Sequence, residues 1–294
     1  MVHTRILVPV SHAGGREPAF ERGLALARAS GAELHVIHAV PADQPFSFGA
    51  SHRLQRSAEL RRRAEAAGVT VYTIEQQGDP AGVIALYADD REVDLIVMTS
   101  ERRTGWARFR QPSVAERVMR RTTRPILVVR HDGAAAAFRN VLVAVELSPA
   151  STTLIDMAVQ LSEPDTRRLT VIHAVESLPG PRGVRTLATW GLPEYRAFVL
   201  NDDRRRLEAM VRGTVAGSAA QLRVVPGPAA DAVTEEAAYM DADLIVVGRG
   251  DRVLRWGSTG ARVLRESNGA VLVVPEATSR RLSRATPPSL RRAA

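Results

Sequence analysis

The 294-residue chain contains no cysteine and no lysine, and only 4% of its residues are aromatic. Without cysteine there are no disulfides, thiolate zinc sites, iron–sulfur clusters or cysteine nucleophiles. Without lysine there is no Walker-type phosphate loop, whose lysine reaches the β- and γ-phosphates. No apolar run approaches the roughly 20 residues that a membrane helix requires. The opening stretch, Met1 to Val10, is short and soon followed by polar residues, unlike a secretory leader, so the expected compartment is the cytoplasm and no membrane partner is expected.

What is present is the balance of a globular protein, 45% hydrophobic and 24% charged, in a chain long enough for two domains. The net charge is +8 and the isoelectric point about 11.0. All 40 basic residues are arginine, whose guanidinium does not titrate in the usual range, so the high value overstates the charge excess. Part of that excess is local. Arg280, Arg281, Arg284, Arg291 and Arg292 lie in a tail with no acidic partner and with Pro287 and Pro288, which reads as a disordered basic arm.

The chain repeats itself. Ile6–Val10 matches Val141–Val145, Leu34–Val40 matches Leu169–Val175, Asp94–Val97 matches Asp243–Val246, and Ile126–Val129 matches Val271–Val274. The offsets are 135, 135, 149 and 145, so the second copy gains 14 residues between its second and fourth strands and loses 4 before its last. These runs are apolar on successive residues and rich in Val and Ile, as strands buried on both faces of a parallel sheet require. Helical patterns lie between them. Phe20, Leu24 and Ala27 share one face behind Pro18, with Gly31 at the end. In the second copy Ser148 is the expected N-cap and Pro149 the first helical residue, followed by Leu154, Met157, Ala158 and Leu161 on one face.

Strand and helix thus alternate five times per copy, and right-handed crossovers give an α/β fold. The expectation is two tandem doubly wound, five-stranded, Rossmann-like parallel sheets related by internal duplication. The first domain is expected over 1–132, a linker over 133–138, a second domain over 139–277 and the basic tail over 278–294.

In an open parallel sheet the ligand crevice lies beyond the carboxyl ends of the strands. The loops to inspect are Ser11–Gly15 and Glu146–Pro149 after the first strand of each copy, and Thr99–Pro112 and Gly248–Gly257 after the fourth. A phosphate site there needs backbone N–H groups close to an anion, and glycine permits that approach.

The strand order, the Asp-Leu-Ile-Val fourth strand, the Ser113–Val118 helix start and the Leu147–Ser151 run resemble the universal stress protein family over nearly everything except the tail. The resemblance implies an adenine nucleotide hydrolase-like fold. In the family's nucleotide-binding branch it also implies a G-x-x-G, nine-residue, G-[ST] loop after strand four and an Asp at the end of strand one. The first copy has Thr99, Arg102 and Pro112 where that pattern has glycine, keeps only Ser113, and has Ser11 in place of the Asp. It is expected to be a poor ATP site. Arg102 and Arg103 could draw an anion by charge but do not recreate a backbone cradle.

The second copy keeps more: Gly248 ends strand four, Gly250 follows one residue early, Gly257 and Ser258 precede the last helix, and Glu146 replaces the Asp. If either half holds a nucleotide it is this one, with ATP as the ligand, Gly250, Gly257 and Ser258 at the phosphates and Glu146 near the ribose or adenine. Simpler roles stand beside these. Ser113 with Glu116 is a capping box, His38 and His173 are strand histidines, and Trp106 and Trp256 pack their loops or stack on a base.

No nucleophile with an adjacent base, metal cluster or paired carboxylates stands in the ligand loops, so the leading reading is a non-enzymatic regulatory or interaction module with degenerate nucleotide sites. An ATP-binding protein with weak ATPase activity and a nucleic-acid binder acting through the tail are the alternatives. Family resemblance further implies pairing of last strands. Pro125–Arg130 and Ala270–Pro275 would pair within the chain as a pseudo-dimer, and two chains would associate, with an unidentified protein as partner.

Overall fold

Leu34 and His35 are consecutive on one strand and serve opposite faces of a sheet. Leu34 lies under the first helix at Gly23, while His35 meets Tyr87 of the third. The computed structural model describes residues 3–11, 17–45, 49–99, 112–130, 137–164, 167–176, 192–249, 259–276 and 278, and places them in two compact units. One unit spans Met1–Ala136 with Gly269–Thr278; the other has Ala137–Asn268 as its body.

In the first unit the strands are β1 (Arg5–Val10), β2 (Glu33–Val40), β3 (Val71–Gln77), β4 (Leu95–Thr99) and β5 (Ile126–Val129). They run parallel in the order β3-β2-β1-β4-β5. Ile6, Leu7, Leu34, Ile37, Leu95, Ile96 and Leu127 are all fully buried, which is why these runs carry no alternation of polar and apolar residues. The helices are α1 (Pro18–Ser30), α2 (Ala50–Ala66), α3 (Pro80–Asp90) and α4 (Val114–Arg121).

Helix α1 starts on Pro18 and stops at Gly31, whose left-handed backbone (φ 69°) closes the last turn. It presses on the sheet at Gly23, where an added Cβ would stand 2.5 Å from Val8 Cγ2. Phe20 and Ala27 are buried beside it, as expected, whereas Leu24 is only half-buried. Asp79 caps α3 by accepting the Gly82 N–H at 3.2 Å. Ser113 and Glu116 form the expected capping box on α4, at 3.1 and 2.7 Å.

A sixth strand completes this unit. β10 (Ala270–Pro275), the last strand of the second copy, pairs antiparallel with β5 through Val271↔Val128, Leu272↔Leu127 and Val273↔Ile126. The anticipated pairing of last strands within one chain is therefore observed.

The second unit carries β6 (Asn140–Ala144), β7 (Arg168–Val175), β8 (Gln221–Pro226) and β9 (Leu244–Arg249), parallel in the order β9-β6-β7-β8. Helix α5 (Ser151–Leu161) packs on β6 and β9, α6 (Leu192–Arg212) on β8, α7 (Ala229–Tyr239) on β7 and β6, and α8 (Thr259–Glu266) on α7 and β9. Part of the residue gain of the second copy lies in α6, 21 residues against 17 in α2.

The start of α5 differs from expectation. Its first helical residue is Ser151 with Ala150 as N-cap, rather than Pro149 capped by Ser148. The cause is Leu147, which takes a positive φ of 53° and turns the chain, so that Ser148–Ser151 forms a tight turn closed by the Ser151 N–H on the Ser148 carbonyl at 2.9 Å. Leu154, Met157, Ala158 and Leu161 are buried as expected.

Each copy also ties its first strand to its fourth by the same device. The Asp94 carboxylate accepts the N–H groups of Thr4 and Arg5, at 2.8 and 3.1 Å, and the Thr4 hydroxyl at 2.7 Å. Asp243 accepts those of Arg139 and Asn140 at 2.8 and 3.1 Å. The aspartate of each Asp-Leu-Ile-Val run thus clasps the chain at the end of the sheet remote from the crevice.

Candidate functional site

The carboxyl ends of β6, β7 and β9 come together because the strands are parallel neighbours in register, with Ala144 facing Ile172 on one side and Val247 on the other. Two of the sequence-derived site residues stand there. Glu146 is exposed just beyond β6, its N–H 3.4 Å from the Ser151 hydroxyl. Gly248 is exposed near the end of β9. A Cβ on Gly248 would stand 3.4 Å from Leu154 Cδ2, so α5 walls one side of the position. Gly260, in the first turn of α8, lies under Val247, its notional Cβ 3.5 Å from Val247 Cγ2 and 4.0 Å from the Gly248 carbonyl.

Gly250, Gly257 and Ser258 lie outside the described residues, as do Trp256 and, in the first copy, Arg102, Arg103 and Trp106.

Two further groups at this end were not legible as site residues. His173, on β7, has Nδ1 2.9 Å from the Val145 carbonyl, so Nδ1 carries the hydrogen and donates it. Its Nε2 then faces the Asp203 carboxylate of α6 at 3.8 Å, and Asp203 also holds Arg206 at 3.0 Å. Only 13% of each of the His173 and Asp203 side chains is exposed. Glu176, after β7, accepts the Ala229 N–H at the start of α7 at 3.0 Å. The carboxylates Glu146 and Asp203 are acceptors at this end, a pair that suits hydroxyl and amino donors. Ser151 was visible in the Leu147–Ser151 run, but nothing in the spacing joins Asp203 to His173.

The first unit fills the same region with its own side chains. Thr99, which matches Gly248 at the 149-residue offset, accepts the Ala19 N–H on its hydroxyl at 3.2 Å, so the side chain bonds into the first turn of α1. Beyond β3, Arg53 of α2 is 1% exposed and paired to Glu75 at 3.1 Å. Arg56 of α2 holds Glu17 at 3.3 Å and Glu59 at 2.8 Å. Burial pushes the Glu17 carboxyl above its ordinary range, with Arg56 opposing. No group of three or more His, Asp or Glu side chains that could hold a metal ion occurs among the described residues.

The Universal stress protein family matches the chain twice, over residues 3–130 and 137–275. The chain belongs to the universal stress protein family. Among its relatives, Universal stress protein MJ0531 of Methanocaldococcus jannaschii is 28% identical over 141 residues, 44% of this chain and 83% of that protein. A functionally unknown Pseudomonas aeruginosa protein, PA1789, matches across 96% of both chains with a TM-score of 0.70 and 18% identity, which shows a shared fold. A universal stress protein from Archaeoglobus fulgidus in complex with dAMP is 19% identical and covers 44% of this chain and 98% of its own, with a TM-score of 0.34. Read as a universal stress protein, this chain carries two copies of the family domain whose crevices share a strand histidine, His38 and His173, and differ where Thr99 matches Gly248.

Proposed function

We propose that the protein is a regulatory module of the universal stress type in which only the second unit takes an adenine nucleotide. The observation that carries this reading is the pair Thr99 and Gly248. The first position places a hydroxyl on the α1 N-terminus, while the second leaves an exposed, side-chain-free backbone at the corresponding strand end. A nucleotide in the second unit would set its ribose hydroxyls or adenine amine against the carboxylates of Glu146 and Asp203, which accept from it. Gly248 leaves the approach to the neighbouring backbone open, and Gly250, Gly257 and Ser258 are the proposed phosphate contacts. The chemistry these groups supply is recognition, so occupancy rather than turnover is the proposed signal.

Isothermal titration of ATP and of dAMP into the intact protein tests this. Saturable binding that is lost in Gly257→Asp and in Gly248→Thr, and unaffected by Thr99→Val, is the expected result. Binding that survives both glycine substitutions would place the nucleotide elsewhere. No binding by the parent protein would leave an interaction module without a nucleotide.

A further inference from the structure

Arginine stays charged in any environment a protein offers, so a buried guanidinium has to be matched by an anion. Helix α2 sends two of them to the carboxyl end of the first unit. Arg53, 1% exposed, is answered by Glu75, which is fixed within β3. Arg56, 15% exposed, is answered by Glu59 of its own helix at 2.8 Å and by Glu17, whose side chain is 9% exposed, at 3.3 Å.

The Glu17 carboxylate is held in an unusual way. Its Oε1 is buried and receives no hydrogen bond of good geometry, the nearest Arg56 nitrogen standing 3.3 Å away in an ion pair. Glu17 is the residue before α1, yet its side chain caps no N–H of that helix. What keeps it there is charge, from Arg56 and from the positive end of a 13-residue helix. The contrast within the same unit is Asp94, whose carboxylate takes three directed donors. Asp94 is built as a clasp. Glu17 sits as a bound anion would, matched in charge and not in hydrogen-bond geometry.

Among the described residues the second unit has no counterpart of this pair. Leu60 and Ala64 of α2 correspond to Leu207 and Val211 of α6 as the buried anchors of each helix, an offset of 147 in both cases. At that offset Arg56 becomes Asp203 (203 minus 56), which faces His173. The charge at this helix position is reversed between the copies.

We propose that the crevice of the first unit is an anion site that the chain occupies with its own Glu17, and that a small carboxylate or a phosphate is the ligand class able to take that place. The inference goes beyond the nucleotide reading of the second unit and does not depend on it.

Chemical rescue tests it on the full-length protein. Glu17→Ala vacates the position while leaving Arg56. Its thermal unfolding midpoint is expected to fall, and sodium formate or inorganic phosphate is expected to recover at least half of the loss, saturably, beyond what sodium chloride does at equal ionic strength. Glu17→Gln keeps the volume filled with a neutral amide and is expected to show no such recovery, nor is the double variant Glu17→Ala with Arg56→Met. The parent is expected to respond to formate no more than to chloride. If Glu17→Ala does not fold in chloride, the same salts are compared for recovery of its native circular dichroism. Equal responses of Glu17→Ala to formate, phosphate and chloride would overturn the proposal, as would a parent protein that formate stabilises just as much.

Discussion

The Thr99 hydroxyl accepts the Ala19 N–H at 3.2 Å, joining the end of β4 to the first turn of α1 by a bond that the glycine at the matching position of the other copy cannot make. Removing it should cost the first unit a modest hydrogen bond. Thr99→Val is expected to lower stability by about 1 kcal/mol, read from urea unfolding. Gly248→Thr should fold, because the added Cβ meets Leu154 Cδ2 at an ordinary 3.4 Å. It should nevertheless weaken adenine nucleotide binding by about tenfold or more, as a side chain there replaces open backbone.

Gly23 is expected to tolerate no side chain. Helix propensity alone would favour alanine by up to about 1 kcal/mol, yet its Cβ would lie 2.5 Å from Val8 Cγ2, on a stiff β-branched residue that is itself fully buried. Overpacking should win, with a net loss of about 1–3 kcal/mol for Gly23→Ala in denaturant unfolding.

The two aspartate clasps give a matched pair of experiments. Asp94→Ala strands the Thr4 and Arg5 N–H groups, and Asp243→Ala those of Arg139 and Asn140. Each is expected to cost about 1–3 kcal/mol. Hydrogen exchange should show the loss of protection at the start of β1 in the first variant and of β6 in the second.

How far the sequence reveals this molecule depends on the range of the interaction. The strands were legible because burial on both faces writes itself into adjacent residues, as in Ile6-Leu7-Val8 and Leu244-Ile245-Val246-Val247. The α4 capping box was legible because its partners are three residues apart. The start of α5 was misplaced by two residues, since Ser148-Pro149 is a good local start signal and the positive φ of Leu147 that displaces it has no signature in a leucine. Of the candidate site, the single residues Glu146 and Gly248 could be named from the repeat. The pairs Glu17 with Arg56 and Asp203 with His173 join residues 39 and 30 positions apart from different elements, and helical or strand periodicity says nothing about them.

His35 supplies a pH test. It is 6% exposed, with Nδ1 2.7 Å from the Tyr87 hydroxyl, Nε2 3.5 Å from Glu33, the Tyr72 ring at 4.9 Å, and Arg5 and Arg91 nearby. Burial lowers its pKa below the ordinary 6.5, with Glu33 opposing and the two arginines adding to the drop. As pH falls through about 6.5 the unfolded chain therefore takes up a proton that the folded one still refuses, and stability declines. The His35 contribution is full above that value and lost below it. His35→Gln is expected to flatten the fall in thermal midpoint between pH 7.5 and 5 relative to the parent. His3, lowered in the same direction, remains in both proteins, and the raised carboxyls of Glu17 and Asp156 act with opposite sign in both, so the difference isolates His35.

The antiparallel ladder between Ile126–Val128 and Val271–Val273 bears on how the polypeptide matures during synthesis. The edge of β5 must wait, apolar and unmatched, while well over a hundred further residues leave the ribosome. Its closing partner, β10, emerges only after them. The amino-terminal half can therefore reach its finished sheet only after translation has passed the carboxyl-terminal half, and a nascent chain arrested short of Ala270 would expose a sticky margin that chaperones or aggregation would meet first.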